Sequence, residues 1–338
     1  MQTIKKLSLM ACSLVLCLTA CLIFVGCGSS DPNRIRLNEV TRSIFYAPLY
    51  VAYNMGFFED EGLSVTIETA TGSDASMTAL LSGSADIILA GPETVIYSST
   101  SSDHPVVFGQ LTQKDGSFIV SRDPIEDEFS LDMLKGKTII GGRAGGLPAM
   151  TLEYVIKNAG LTIGTNLEAG EVNLRTDVAF NNIASEFQVS GNEFCTLFEP
   201  NATTLENEGM GYVVSAVGTV SGEIPYTCFA TKSSYLENNS EQAEKFLKAV
   251  KIGYQYIVEN DSAVVAKALT ASFAGMSEAE LQIAIEQYLS IDAWSHDMIF
   301  SEESFNKLLD IINSTQGTSY APDYSALIDN SIAEKLAA

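Results

Sequence analysis

Hydrophobic and polar positions in the first part of the chain alternate between strand-like and helix-like patterns. Residues 63–68 carry apolar side chains at every second position, which predicts a strand with one buried face. Residues 85–90 are almost continuously apolar, which is typical of a strand buried on both faces. The predicted strands are Ile35–Val40, Leu63–Glu68, Ala85–Ala90 and Val106–Leu111, and the predicted helices are Ala47–Met55 and Ser76–Leu81. Such alternation predicts a parallel sheet with helices on both faces.

The same alternation starts again after the strand-like segment Phe118–Ser121. The predicted strands of this second part are Lys137–Gly141, Phe194–Phe198, Gly211–Ser215 and Thr227–Thr231, and its predicted helices are Leu131–Leu134, Pro148–Asn158 and Ala202–Glu208. From Ser240 onward the pattern indicates helices alone, at Ser240–Glu259, Ser262–Phe273, Ser277–Leu289 and Ser301–Asn313. Ser277 is followed three residues later by Glu280, which is a capping-box pattern, whereas Ser301 has Ser304 at that position.

Two α/β halves followed by a helical tail resemble a two-lobed binding protein. We therefore expect an α/β, two-lobed, periplasmic-binding-protein-like (type II) fold with two crossover segments and a C-terminal helical tail. The chain would cross between the lobes near residues 116–120 and 225–229. Lobe one would hold residues 34–117 and 228–338, and lobe two would hold residues 118–227.

A targeting signal is predicted before this fold. Lys5 and Lys6 form a short positive start, residues 7–25 are uncharged and mostly apolar, and Gly26 ends the run. This order is typical of a secretory signal over residues 1–26, with a polar tether over residues 27–33. A retained membrane helix is the alternative, because the apolar run is nearly long enough to span a bilayer.

Cys27 follows the predicted cleavage point and resembles the acylated cysteine of bacterial lipoproteins. Cys21 is an alternative anchor, since the residues before it match the lipoprotein pattern better by type. However, the apolar segment Leu22–Val25 would then follow the lipid, where a polar tether is expected. We expect a protein that is lipid-anchored through Cys27 at the outer face of the cell membrane.

Two cysteines lie beyond this segment, Cys195 and Cys228, each inside an apolar run. Buried free thiols are expected, with a disulfide as the alternative, because sequence does not give the distance between their Cα atoms. No spacing of cysteine and histidine suggests a metal site, and no cofactor is expected. The net charge of −23 argues against a nucleic-acid partner, which would require clustered basic residues.

Residues 38–93 carry the most informative motifs. They include Gly-Phe-Phe-Glu at Gly56–Glu59, Glu-Gly-Leu at Glu61–Leu63 and Leu-Ser-Gly-Ser-Ala-Asp at Leu81–Asp86. These motifs resemble the nitrate/sulfonate/taurine and thiamine-pyrimidine-precursor family of ABC substrate-binding proteins, over about residues 35–260. The resemblance implies a receptor that delivers a small molecule to ABC permease and ATPase subunits, and we expect a monomer.

Three loops that follow predicted strands supply the candidate ligand contacts of lobe one. Ligands of open α/β sheets bind beyond the carboxyl ends of the strands, and a helix N-terminus there offers free backbone N–H groups. Phe45 and Tyr46 could stack on a flat ligand ring, with packing in the core as the alternative. The predicted contacts are Thr41, Arg42, Phe45, Tyr46, Gly72, Ser73, Gly91, Pro92 and Glu93.

Lobe two offers a glycine-rich loop, Gly141–Met150, between a predicted strand and a helix. It lacks the pattern of a nucleotide-binding loop, so we expect it to cradle the ligand through Arg143, Gly146 and Pro148, or else to be an ordinary turn. Arg143 is either a ligand clamp or a solvated charge. Glu199 would pair with an aminopyrimidine or cap the following helix. Asp115 is a candidate near the hinge.

These observations predict a receptor for a nitrogen-bearing heteroaromatic compound, with a thiamine pyrimidine precursor first. A sulfonate, taurine or nitrate receptor is an alternative that an acidic site would disfavour. A further alternative is an enzyme resembling the pyrimidine-precursor synthases of this fold. The predicted export signal and the presence of only His104 and His296 argue against an enzyme.

Overall fold

The computed structural model describes residues 31–338. The predicted signal segment 1–26, the predicted anchor Cys27 and the alternative anchor Cys21 lie outside the described residues. Within the described part, the strands form two five-stranded sheets with helices around them, as expected for a two-lobed α/β fold. No helix in residues 31–338 is both long and apolar enough to cross a membrane.

The first sheet has the strand order β2-β1-β3-β10-β4. Its strands are β1 (Arg34–Glu39), β2 (Ser64–Thr69), β3 (Ile87–Ala90), β4 (Pro105–Thr112) and β10 (Thr227–Lys232). Strand β1 runs parallel to β3, with Leu37 opposite Ile87. Strand β10 runs antiparallel to both of its neighbours.

The second sheet has the order β7-β6-β8-β5-β9. Its strands are β5 (Phe118–Ser121), β6 (Thr138–Ile140), β7 (Asn173–Arg175), β8 (Phe194–Leu197) and β9 (Tyr212–Ala216). Strand β6 runs parallel to β7 and β8, whereas β5 runs antiparallel to β8 and β9.

The prediction of a parallel sheet is therefore wrong for both lobes, since each sheet is mixed. In each sheet the antiparallel strand is the one that the chain forms on arriving from the other sheet. This strand is β5 in the second sheet and β10 in the first. A strand that enters beside the carboxyl ends of its neighbours must run opposite to them. The periodicity that predicts each strand does not report this direction, because it depends on the connection.

Helices cover the sheets. Lobe one carries α1 (Ala47–Asn54), α2 (Phe57–Asp60), α3 (Ser73–Ser82) and α4 (Glu93–Tyr97), and lobe two carries α5 (Leu147–Asn158), α6 (Ile183–Val189), α7 (Asn201–Asn207) and α8 (Val217–Ser221). Short 3-10 turns lie at Ile44–Tyr46, Leu131–Leu134, Leu167–Ala169 and Phe180–Asn182. The sequence pattern predicts neither β7 nor α6.

The helical tail is confirmed, because the described residues after Lys232 contain helices and no strand. It comprises α9 (Ser233–Asn238), α10 (Ser240–Glu259), α11 (Ser262–Leu269), α12 (Glu278–Ser290), α13 (Glu302–Gln316), α14 (Tyr324–Leu327) and α15 (Ser331–Ala337). The capping box at Ser277 and Glu280 is confirmed, with both of its hydrogen bonds present. Helix α10 packs on α1 and α13 packs on α5, so the tail contacts helices of both lobes.

The chain changes sheet twice. It leaves the first sheet after Thr112 and enters the second at Phe118, and it returns between α8 and Thr227. On this basis we propose residues 34–117 with 228–338 as lobe one and residues 118–227 as lobe two. Cys195 and Cys228 lie in different sheets, and both are buried free thiols, as expected.

Candidate functional site

A cleft of about 140 Å³ is lined by residues of both lobes. Lobe one contributes Val40, Thr41, Ser43, Tyr46, Thr71, Gly72, Ser73, Gly91 and Glu93. Lobe two contributes Gly142, Arg143, Gly146, Leu147, Pro148, Ala179, Phe180, Asn181 and Phe198, and the returning segment contributes Tyr226 and Thr227.

The loops after β1, β2 and β3 meet at this cleft, because parallel strands end at the same edge of a sheet. The structure therefore brings together nine of the predicted contacts from both lobes. They are Thr41, Tyr46, Gly72, Ser73, Gly91, Glu93, Arg143, Gly146 and Pro148. The other predicted contacts, Arg42, Phe45, Pro92, Asp115 and Glu199, lie outside this lining.

Glu93 is the first residue of α4, and 2% of it is exposed. Its Oε2 atom is buried without a hydrogen-bond partner among residues 31–338. Burial raises the pKa of this carboxyl to about 7, although its own backbone N–H and that of Leu147 oppose the shift. Leu147 belongs to lobe two, so Glu93 faces the opposite wall of the cleft.

Gly91 makes this position of the carboxyl possible. A Cβ atom at residue 91 would lie 2.0 Å from Glu93 Oε2. The side chain of Glu93 therefore folds back over Gly91, into space that any other residue would occupy. The sequence predicts that Gly91 lets a ligand approach the backbone closely. In the structure, the Glu93 carboxyl lies against Gly91.

The mouth of the cleft is bridged by contacts between the lobes. Arg143 Nη2 lies 2.6 Å from Asp74 Oδ2, and Thr41 Oγ1 donates to Asn181 Oδ1 at 3.4 Å. The Tyr97 hydroxyl donates to the carbonyl oxygen of Gly145 at 3.3 Å. These three contacts connect the two walls of the cleft, and all three are exposed to solvent.

Glu199 lies beside a second opening, which adjoins the cleft and includes Arg42. Its Oε2 accepts a hydrogen bond from the Thr203 backbone N–H at 3.1 Å, and its Oε1 accepts one from Thr203 Oγ1 at 3.0 Å. Burial raises the pKa of this carboxyl to about 7. The contacts match the capping alternative, because both oxygens are used within the first turn of α7.

Phe45 packs into a cluster of aromatic rings. Its ring centroid lies 5.2 Å from that of Tyr288 and 5.3 Å from that of Phe198. The indole N–H of Trp294 donates to the carbonyl oxygen of Phe45 at 2.9 Å. These contacts match the packing alternative for Phe45, whereas the neighbouring Tyr46 lines the cleft.

Arg42 and Asp115 lie outside the lining of the cleft and form hydrogen bonds with neighbouring residues. Arg42 Nε lies 2.9 Å from Glu39 Oε1, and the fully buried Glu39 also accepts from Thr69 Oγ1 at 2.6 Å and from the Tyr50 hydroxyl. Asp115 Oδ1 accepts from the backbone N–H of Ser117 at 2.7 Å. Burial raises the pKa of Asp115 to about 7.

Sequence reasoning missed several residues of the lining, notably Phe180, Asn181, Phe198 and Tyr226. Phe180 and Asn181 lie in a 3-10 turn without periodicity. Tyr226 was predictable from its place, because a segment that returns between two lobes must pass the cleft. In the described residues, no group of histidine, cysteine, aspartate or glutamate side chains is arranged to hold a metal ion.

Comparisons with known proteins agree with this architecture. A family model described as "NMT1/THI5 like" matches residues 44–263. A protein of Bacillus subtilis (strain 168) named "Putative binding protein YtlA" is 38% identical over 306 residues, which are 90% of this chain and 90% of that protein.

Two solved structures show the same fold at low identity. The ligand-binding component of an ABC-type import system from Staphylococcus aureus, solved with zinc bound, has a TM-score of 0.71 at 13% identity, with 90% of this chain and 99% of that chain covered. The alkanesulfonate-binding protein SsuA from Xanthomonas axonopodis pv. citri, bound to MOPS, has a TM-score of 0.69 at 14% identity, with 90% and 100% covered.

Proposed function

Because this chain belongs to the NMT1/THI5-like family, we propose that it is the extracytoplasmic substrate-binding component of an ABC importer. The observation that carries the proposal is a cleft whose walls come from both lobes and whose mouth is bridged by the Arg143–Asp74 pair. Two chain crossings can act as a hinge, so that the lobes separate to admit a ligand and close on it. The closed form would then be recognised by the permease.

The ligand that we propose is a thiamine pyrimidine precursor or a similar nitrogen heteroaromatic compound. Tyr46, Phe180, Phe198 and Tyr226 give the cleft aromatic walls on which a flat ring can pack. Glu93 adds a buried carboxyl oxygen that can accept hydrogen bonds from amino or ring N–H groups. An aromatic slot with one acidic group favours such a compound over an aliphatic one.

A sulfonate, taurine or nitrate ligand is the second candidate. Arg143 lies in a glycine-rich loop just before α5, which is twelve residues long, and a helix N-terminus with a nearby guanidinium favours an anion. Against this candidate, the Arg143 side chain is 56% exposed and already paired with Asp74, while the buried Glu93 would repel an anion.

Isothermal titration against 4-aminopyrimidines, alkanesulfonates, taurine and nitrate tests both candidates. The proposal expects binding of an aminopyrimidine with a Kd of about 1 µM or below, which corresponds to about 8 kcal/mol. Tight binding of a simple sulfonate together with no binding of any aminopyrimidine would replace the first candidate by the second. Turnover of a pyrimidine precursor with a pyridoxal cofactor would contradict a transport role.

Export and lipid attachment through Cys27 belong to the same proposal. A lipid anchor would hold the receptor beside the permease at the outer face of the membrane. Metabolic labelling with a radioactive fatty acid tests it: Cys27→Ser is expected to abolish the label, and Cys21→Ser is expected to retain it. The opposite pattern would move the anchor to Cys21.

A further inference from the structure

Two charged side chains line the cleft, Glu93 and Arg143, and their surroundings differ. The Arg143 side chain is more than half exposed and already paired with Asp74, whereas Glu93 is almost wholly buried. Glu93 Oε2 has no hydrogen-bond partner in the part of the chain that the structure describes. A buried acceptor without a partner is costly, and it therefore indicates a group that a ligand supplies.

We propose that Glu93 is the side chain that selects the ligand, by accepting hydrogen bonds from an amino group or ring N–H of a nitrogen heterocycle. This inference rests on the proposed function, since it assigns the recognition of the ligand to one residue of the same cleft. It departs from the sequence-based expectation, in which Glu199 supplies the selecting carboxylate.

The backbone around Glu93 keeps the carboxyl available. Pro92 precedes it and has no N–H to donate. Gly91 leaves the space in which Oε2 lies, since a Cβ there would overlap with it at 2.0 Å. Oε2 therefore lacks a partner within residues 31–338, although the backbone N–H groups of Glu93 and Leu147 also act on the carboxyl.

Tyr226 is a second polar side chain in the lining of the cleft. Its buried hydroxyl faces the Asp115 carboxyl, with which it interacts through a side-chain hydrogen bond. Burial raises the pKa of Tyr226, and Asp115 and Glu93 raise it further, so the hydroxyl is neutral and lies within electrostatic reach of Glu93. Because Asp115 engages the Tyr226 hydroxyl, Glu93 Oε2 is the acceptor that remains for an N–H group of the ligand.

Glu199 does not offer the same chemistry. Thr203 occupies both of its carboxyl oxygens, at 3.0 and 3.1 Å, and the side chain lies at the second opening. A ligand that used Glu199 would have to displace the cap of α7. The two carboxyls thus differ in the one property that recognition requires, which is a free acceptor.

The test compares two ligands and several variants of the full chain. One ligand is a 4-amino-2-methylpyrimidine, and the other carries a methyl group in place of the amino group. We expect the wild-type protein to prefer the amino compound at least about tenfold, and Glu93→Gln to reduce the preference to about twofold or less, because the amide presents N–H groups to the amino group. Glu171→Gln is the matched control, because Glu171 lies in a loop of lobe two outside the lining of the cleft, and it should keep the wild-type preference.

A second variant guards against a folding defect in Glu93→Gln. Gly91→Ala keeps the charge but displaces the carboxyl, so it should lose the same preference, and thermal unfolding reports whether each variant folds. An unchanged preference in Glu93→Gln, or its loss only in Glu199→Gln, would overturn the inference and leave the proposed function standing. Failure of the wild-type protein to bind either pyrimidine would overturn both this inference and the proposed ligand class, but not the role in transport.

Discussion

The Arg143 guanidinium and the Asp74 carboxylate lie 2.6 Å apart and connect the glycine-rich loop of lobe two to α3 of lobe one. Their side chains are 56% and 70% exposed. An ion pair this exposed contributes about 0–1 kcal/mol, because water competes for both groups and salt screens them. The pair therefore guides closure of the mouth more than it stabilises the closed state.

The first prediction is that Asp74→Asn weakens ligand binding by no more than about fivefold, which corresponds to 1 kcal/mol. The effect should shrink further when the salt concentration rises to about 0.5 M. Titration calorimetry at low and high salt measures both quantities.

Arg143→Ala distinguishes two roles of Arg143, which are to connect the lobes through Asp74 and to contact the ligand directly. If Arg143 acts through Asp74, the two single variants and the double variant should show similar losses. A loss of about a hundredfold in Arg143→Ala with little loss in Asp74→Asn would instead place the guanidinium on the ligand and favour the anionic candidate.

How much of this site the sequence reveals depends on the kind of feature. The loops after β1, β2 and β3 could be located, because apolar periodicity marks strands and the carboxyl ends of parallel strands meet at one edge. Gly91 and Glu93 were found in this way, and so was the loop with Arg143. The positions follow from backbone topology, which local patterns largely determine.

Side-chain direction was less accessible. Phe45 and Tyr46 are neighbours in one 3-10 turn, yet Tyr46 lines the cleft while Phe45 packs against Tyr288 and Trp294, far along the chain. Glu199 likewise stands at a strand end, but Thr203 takes its carboxyl. Such choices are made by tertiary contacts that no short pattern encodes.

The second prediction concerns pH. The pKa of Glu93 is raised to about 7 because the carboxyl is buried, and a ligand that donates N–H groups requires its ionised form. The ionised fraction falls from about nine-tenths at about pH 8 to about one-tenth at about pH 6, so the apparent Kd should rise about tenfold over this interval. Calorimetry with a ligand that does not itself titrate in this window measures the change.

The groups that face Glu93 should not obscure this dependence. They are Tyr46, Asp74, Tyr97, Arg143, Tyr226 and Cys228. Burial raises the pKa values of the three phenols and of the Cys228 thiol, so these groups stay neutral across the window. In Glu93→Gln the pH dependence should vanish; a variant that retains the full tenfold change would assign the titration to another group.

The third prediction is that the contribution of Asp115 to stability is lost as the pH rises from about 4 to about 7. Burial raises the pKa of Asp115 from 3.8 to about 7, so the folded state holds a proton that the unfolded chain has released. Stability is therefore fully present below the unfolded value and declines until the pH passes the folded one. A shift of this size is worth roughly 4 kcal/mol.

Asp115→Asn tests this assignment by thermal unfolding at several pH values. The amide oxygen can still accept from Ser117, so the variant should fold and show a flatter dependence of Tm on pH. Asp103→Asn is the control, because Asp103 is a half-buried carboxyl whose pKa is lowered by its bonds to Ser234. Its slope above about pH 5 should equal that of the wild type, and equal slopes in all three proteins would contradict the role of Asp115.

The fourth prediction concerns the contact between α10 and α1, the helix that follows the Ser43–Tyr46 turn of the cleft. Gly253 lies against α1, and a Cβ there would come within 2.1 Å of the Pro48 carbonyl oxygen and 3.1 Å of the Ala52 backbone nitrogen. Backbone atoms cannot rotate away, so Gly253→Ala must push the helices apart, at a cost of about 1–3 kcal/mol. Alanine gains up to about 1 kcal/mol of helix propensity in return, which leaves a net loss. Gly275→Ala is the matched control, since nothing lies within 4 Å of its added methyl group, and its Tm should stay near that of the wild type. Equal Tm values for the two variants would show that α1 and α10 can separate freely, and the turn that presents Tyr46 would then not depend on their packing.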